Sequence, residues 1–474
     1  MSRASVVIVG GGIAGLTAAW DLTGGPNPDP DAPRVEILEA AESFGGSLGT
    51  TTLAGRVIDD GPDGFLASRA EARALIDELA MSEELVAIAA SGASLYLRGS
   101  LHPIPAGLAL GVPTSRDAVA AFGALSWRAR MAALRDEIAP RRLVVADDAT
   151  IGEIVRTKLG SEIAYQVVEP LVGGIQAGRI DRLSAASLVP NLLSAAQRGG
   201  SLMRALAAQR PSGPGGPTGP AFYSLRGGVG SLPARLVERL GERGVILRPA
   251  RAAVALRESR HGSRRYEVDT ADSITPADVV VLAGPGAVTG ALCAHLDPAL
   301  AALSTLTSAS VAMVTLGLER DELRLDGPGT GVLVPLGTPG PDGEPMLITA
   351  ITFLERKWPH LANGLALVRA HVGRVDDERF GALSDEALVA RVVSELQAIL
   401  GGRVVARESY VRRFIRALPQ YEVGHAELVR AAKAAAAEHG LALAGNAYDG
   451  VGIPASIASG RRAASEVRAM LEKR

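Results

Sequence analysis

The sequence predicts an α/β protein, and three stretches carry the prediction. Val6-Val7-Ile8-Val9 is a short apolar run that breaks into Gly10-Gly11-Gly12-Ile13-Ala14-Gly15 and continues through Leu16, Ala18 and Ala19 with helical composition. Arg34 to Leu38 reads as a second strand and ends at Glu39; Ala277 to Ala283 reads as a third, closing on small residues. The spacing Gly10-x-Gly12-x-x-Gly15 lets the chain turn tightly and lets backbone approach a pyrophosphate with no Cβ in the way. Phosphates then meet the helix N-terminus, and a carboxylate at Glu39 is placed to accept hydrogen bonds from a ribose diol. The unit is Rossmann-like, with dinucleotide contacts expected from Gly10, Gly12, Ile13, Ala14, Gly15 and Glu39. NAD and FAD both fit this far.

Composition narrows the remainder. A chain of 474 residues with 47% hydrophobic content can bury a large core across two or three domains. A net charge of −2 gives no footprint for nucleic acid. The single cysteine, Cys293, excludes an intrachain disulfide framework and a Cys-cluster metal site. His360 and His371 lack ligand spacing, so no metal is expected. No apolar run reaches the ~18 residues of a spanning helix, and no basic lead of useful length precedes Val6. The expectation is a cytoplasmic protein, at most resting on a membrane.

Beyond Glu39 the sequence separates the dinucleotides. Gly45-Gly46-Ser47 resembles the double-glycine extension of flavin enzymes in the amine-oxidase and porphyrinogen-oxidase group, which implies FAD; Ser47 stands where most of that group has Arg or Lys. Gly61-Pro62-Asp63-Gly64-Phe65 resembles the segment that lies beside the flavin ring in porphyrinogen oxidases. Glu169 to Ser184 resembles another of their strings, with Gln176 where an aromatic is usual, a departure that bears on pocket shape and not on reaction class. Phe222 to Pro233 resembles the family's glycine turn and lacks the spacing of a second dinucleotide site. Phe414 to His425, with Pro419-Gln420-Tyr421, and Leu441 to Gly460 complete the match. The chain is thereby identified as a member of the FAD-dependent porphyrinogen oxidases.

That resemblance implies noncovalent FAD held also by Gly45, Gly46, Ser47, Gly61, Pro62, Asp63, Val254, Ala283, Gly445, Tyr448, Gly450, Val451, Gly452 and Ile453. Substrate contacts are expected from Arg69, Gln176 and Gly178, with Arg98, Arg179 and Lys357 as further cations for substrate carboxylates. No side chain is assigned as catalytic, because the flavin carries the chemistry. The implied reaction oxidises coproporphyrinogen III to coproporphyrin III with molecular oxygen, releasing hydrogen peroxide over three flavin cycles. Protoporphyrinogen IX is the alternative substrate, a flavin amine oxidase a more distant reading, and a redox-inactive flavin-binding module a third. A ferrochelatase is the candidate receiver of product; oligomeric state is left open.

The expected fold class is α/β, with a discontinuous Rossmann-like FAD-binding domain, a mixed-sheet α+β substrate domain and a helical insertion. The boundaries are 1–70, 222–290 and 408–474 for the first, 71–97 and 291–407 for the second, and 98–210 for the third. Within the insertion, Trp127 to Ile138 is a basic amphipathic helix and a candidate membrane contact. Helices are expected also at Glu71 to Leu79, Ala234 to Leu240, Ser384 to Leu400 and Ser456 to Leu471. The Glu169 to Ser184 stretch, with its glycines, reads as a loop, and Pro211 to Pro220 as a surface loop or hinge.

Overall fold

Apolar runs such as Val6–Val9 and Val279–Leu282 have no polar face, so strands built from them must be covered on both sides. The computed structural model describes residues 3–90, 92–109, 111–209, 219–259, 264–320 and 329–473. In it these runs form a five-stranded parallel sheet, in the order Ile246–Arg248, Arg34–Leu38, Ser5–Val9, Val279–Leu282, Leu441–Leu443. Alternate residues serve opposite layers. Val6, Ile8, Ile37 and Val281 pack under the helices Ile13–Leu22, Ser231–Glu242 and Ile453–Glu472. Val7, Val9, Val280 and Leu282 face the antiparallel strands Ala255–Glu258 and Tyr266–Asp269 and the helix His425–Glu438.

A second sheet of seven strands runs Ala406–Pro419, Ser308–Leu318, Ala366–Val372, Ile348–Phe353, Gly331–Leu333, Ala93–Leu97, Ser100–Pro103. It is mixed, because Gly331–Leu333 pairs parallel with Ala93–Leu97 while its other pairs are antiparallel. Val314, Leu316 and Val368 bury one face against Leu388, Val392 and Leu396 of the helix Asp385–Leu400, which Ser384 caps. Residues between 112 and 206 gather a third, mainly helical core around Ile154, Val168 and Leu192. Among the described residues, no helix is long and apolar enough to cross a membrane.

Five expectations need correction. The helix Ala70–Glu78 is not part of the substrate unit: Ala72, Leu75 and Ile76 sit in the core beneath the parallel sheet with Ile457 and Val467. Ser100–Pro103, Leu108–Ala109 and Val112–Pro113 are strands, the first extending the seven-stranded sheet. The boundary at 407 falls inside the strand Ala406–Pro419, whose ladder with Ser308–Leu318 ties it to the substrate side. Of the stretch Glu169 to Ser184 read as a loop, the first part is helical, in a wide i→i+5 helix from Ala164 to Gly173 that continues to Gln176, and the remainder is turn as expected. Pro170 has no N–H and crowds the preceding turn, and a wider helix tolerates that interruption. The last helix starts at Ile453, with Pro454 in its first turn. Pro211 to Pro220 lies almost wholly outside the described residues.

The helices Ile13–Leu22 and Ile453–Glu472 touch where Gly460 permits it: a Cβ there would lie 2.3 Å from the Ala14 carbonyl oxygen. Gly460→Val is expected to force them apart and lower the unfolding free energy by about 2–3 kcal/mol. Urea denaturation checks this as a lower midpoint at unchanged slope.

Candidate functional site

The carboxyl ends of the parallel strands converge on one cleft. Gly10 leaves the first strand at φ +111°, and a Cβ on it would lie 2.7 Å from the Ala283 carbonyl oxygen. A Cβ on Gly445, at φ +122°, would lie 3.7 Å from that same oxygen. The second glycine turn docks on the first: the Gly45 N–H donates to the Gly11 carbonyl at 2.9 Å, and a Cβ on Gly46 would come 3.3 Å from the Gly12 Cα. Gly15 is a packing residue, since a Cβ there would lie 2.0 Å from the Gly10 carbonyl. Gly12 and Gly452 cap the helices that begin at Ile13 and Ile453, and neither helix has a side-chain cap. Their first-turn N–H groups, including those of Ile13 and Ala14, are left for an anionic ligand.

Glu39 accepts from the N–H groups of Gly11 (2.7 Å) and Ala41 (2.8 Å). Its own carbonyl accepts from the Arg251 N–H at 2.7 Å, which brings the 249–254 loop alongside. Val254 is 60% exposed at the end of that loop. Ser47 is exposed, and its carbonyl oxygen would lie 2.1 Å from a Cβ on Gly61, so the second glycine turn leads directly to Gly61-Pro62-Asp63.

Two of the expected cofactor side chains are committed elsewhere. Asp63 accepts from Lys357 Nζ (2.8 Å) and Trp358 Nε1 (2.8 Å), and the Tyr448 hydroxyl donates to Thr289 Oγ1 at 2.9 Å. Each therefore offers a ligand only its backbone. Val451 and Gly450 line the loop that Tyr421 clamps: its hydroxyl donates to the Asn446 carbonyl and accepts from the Gly450 N–H, both at 2.6 Å. Asp449 is held by Lys433, Ser459 and Arg462, and Ser459 Oγ accepts from the Gly445 N–H.

Gln176 and Gly178 meet the same clamp from the helical side. Gln420 Nε2 donates to the Gln176 carbonyl at 2.8 Å, a Cβ on Gly178 would lie 2.3 Å from Gln420 Oε1, and the Gln176 Oε1 is buried with no partner among the described residues. Arg69 is not brought to them. It is exposed at the start of Ala70–Glu78 and makes no side-chain bond with the described residues. The other cation candidates are engaged: Arg98 with Glu162, Arg179 with Glu169 and Asp376, Lys357 with Asp63. A groove of about 1080 Å³ lined by Trp20, Arg34 and Arg243 lies at the opposite, amino end of the parallel strands, so its size does not make it the site.

Between the seven-stranded sheet and the hairpin Thr50–Leu53/Arg56–Asp59 lies a buried polar cluster. Arg369, 2% exposed, donates to Thr315 Oγ1 (3.1 Å), the Gly61 carbonyl (2.8 Å) and the Asp59 carbonyl. Burial works against the Asp63 charge, but Lys357 and Arg369 outweigh it and bring its pKa down to about 2. Burial pushes Asp59 up to about 7, against the Gly230 N–H that its Oδ1 accepts at 2.9 Å. Burial, aided by Arg369, pushes His371 down to about 4, and burial does the same for His425, which stacks on Tyr421. Sequence reasoning missed Arg369 and the role of Tyr421. The one signal was an arginine in an otherwise apolar strand, with Leu367, Arg369 and His371 alternating onto one face.

Because the folded protein binds the Asp59 proton more tightly than the unfolded chain, this group's contribution is complete below pH 3.8 and is lost as pH rises through about 7. Asp59→Asn keeps the neutral form. Between pH 5 and pH 8 the parent is expected to lose about 2–3 kcal/mol more stability than this variant, read from urea midpoints at both pH values.

Comparison with known proteins agrees with this geometry. The family model described as flavin containing amine oxidoreductase matches residues 13–468. A coproporphyrinogen III oxidase of Bacillus subtilis (strain 168) is 30% identical over 97% of both chains, and a protoporphyrinogen oxidase of Bos taurus is 30% identical over 98% of both. A crystal structure from Exiguobacterium sp. 255-15, named as a candidate protoporphyrinogen oxidase, covers 100% of both chains with a TM-score of 0.87 and 32% identity. The family model spans nearly the whole chain, relatives at 30% identity or more cover it end to end, and the chain belongs to the flavin-containing amine oxidoreductase family.

Proposed function

We propose that this chain oxidises coproporphyrinogen III to coproporphyrin III, using noncovalently bound FAD and molecular oxygen and releasing hydrogen peroxide. The observation that carries the substrate is the full-length similarity to the Bacillus subtilis coproporphyrinogen III oxidase. The cleft supports the cofactor: the FAD diphosphate would lie against the N–H groups at Gly12, Ile13, Ala14 and Gly46, the ribose against Glu39, the adenine along the loop to Val254, and the flavin ring between Gly61–Asp63 and Gly450–Ile453 on the Rossmann-like unit. Buried Cys293, its thiol pushed up to about 12 by burial, sits in the core behind the sheet, which supports noncovalent attachment.

Bound FAD would supply the hydride acceptor for the macrocycle and the route for electrons to oxygen; removal of six hydrogens from the substrate would consume three O₂ and yield three H₂O₂. The chain's task is to bind, orient and exclude water. The uncapped start of the last helix, at Gly452, directs N–H groups at negative charge, and Tyr421 fixes the loop that presents them. Pyrrole N–H protons can leave to solvent, so no side-chain base is required; His371 and His425 are held neutral at pH 7. Gln176 and Gly178 would meet the macrocycle. Exposed Trp127, Met131 and Ile138, interleaved with Arg128, Arg130 and Arg135, support peripheral membrane contact by a cytoplasmic protein.

The test compares initial rates of porphyrin fluorescence and peroxide release from coproporphyrinogen III and protoporphyrinogen IX. A faster rate with the former is expected; preference for the latter would reassign the substrate, and no porphyrin from either would overturn the reading. Tyr421→Phe removes the hydroxyl that joins Asn446 to Gly450 and is expected to weaken FAD binding about tenfold, measured by titrating apoprotein with FAD.

A further inference from the structure

The buried guanidinium of Arg369 reaches across from the seven-stranded sheet to the Asp59–Gly61 turn. Its three bonds go to neutral acceptors: Thr315 Oγ1 on its own sheet, and the carbonyls of Gly61 and Asp59. It has no ion-pair partner among the described residues, although burying an unpaired cation is costly. The acids that face it are spoken for: Asp63 by Lys357 and Trp358, Asp59 by the Gly230 N–H, Asp60 by Arg412 at 3.6 Å. His371, two residues along the same strand, approaches Thr352 Oγ1 at 3.4 Å. With Lys357 offset by Asp63, His371 neutral and Asp59 protonated below about pH 7, the cluster carries excess positive charge behind Gly61. A fork that ties backbone carbonyls in place fixes a turn far better than a single point charge does.

We infer that Arg369 is a positioning residue that anchors the Gly61–Asp63 segment to the substrate sheet and, by its buried charge, raises the reduction potential of the flavin held there. This rests on the reading that the flavin ring lies along that segment. The anchoring has a test that needs no flavin: in apoprotein of Arg369→Lys, the amides of Asp60, Gly61 and Asp63 should exchange at least tenfold faster than in the parent, and unchanged exchange overturns the anchoring role. The charge is tested on holoprotein by the two-electron potential. Arg369→Met should lower it by at least about 30 mV, a tenfold shift toward oxidised flavin, whereas Arg369→Lys should retain more than half of the parent's advantage. Asp59→Asn should act in the opposite direction at pH 8, where it removes a negative charge, and have little effect at pH 6; if Arg369→Met does not fold, this sign decides. A potential unmoved by Arg369→Met or by Asp59→Asn at pH 8, or equal shifts for Arg369→Met and Arg369→Lys, overturns the electrostatic role. A parent that binds no FAD overturns instead the flavin reading.

Discussion

Two backbone turns share the space in which side chains would collide. The Gly10–Gly15 turn and the Gly45–Gly46 turn are joined by a backbone hydrogen bond, and a Cβ on Gly46, at φ +64°, would press on the Gly12 Cα at 3.3 Å, so the second turn resists a side chain at the contact. Everything around the cleft follows from that closeness. The first helix can begin at Ile13 with its N–H groups facing outward, the second turn can run on through Ser47 to Gly61, and Gly61 can then be gripped from the opposite sheet.

The grip comes from a second kind of contact. The hairpin Thr50–Leu53/Arg56–Asp59 and the turn after it meet the mixed-sheet side through buried polar groups: Arg369 on two carbonyls, and Lys357 and Trp358 on one carboxylate. Apolar surfaces hold two layers together without specifying their register, whereas a fork on fixed carbonyls and a paired carboxylate have one good geometry. The loop between the sheets is thus located by direction as well as by burial. Tyr421 does the same on the other side, where one hydroxyl ties the end of the strand Ala406–Pro419 to the C-terminal glycine loop.

Local signals carried well from sequence to structure. The glycine spacing, the acid at Glu39 and the helix Trp127–Ile138 depend on neighbours a few residues away, and the strand, turn and helix lie where that spacing puts them. What failed was non-local. Whether Ala70–Glu78 packs under one sheet or the other depends on Ile457 and Val467, nearly 400 positions on. Pro170 and the glycines near it argued for a loop, yet Val167, Val168 and Val172 had a core to fill, and tertiary burial overrode local preference. Arg369 was readable as an oddity of its strand, but its role depends on partners 308 and 310 residues away, which no window can reveal.

The parallel sheet draws its strands from three remote parts of the chain, and the last, Leu441–Leu443, is followed directly by the glycine loop and the helix that close the cleft. During synthesis the first strand, glycine turn and helix emerge early, but the surface they offer stays half-built until the final strand has left the ribosome. A chain broken before Leu441 would leave the apolar edge of Val279–Leu282 exposed where Leu441–Leu443 should pair, an unpaired strand edge open to aggregation.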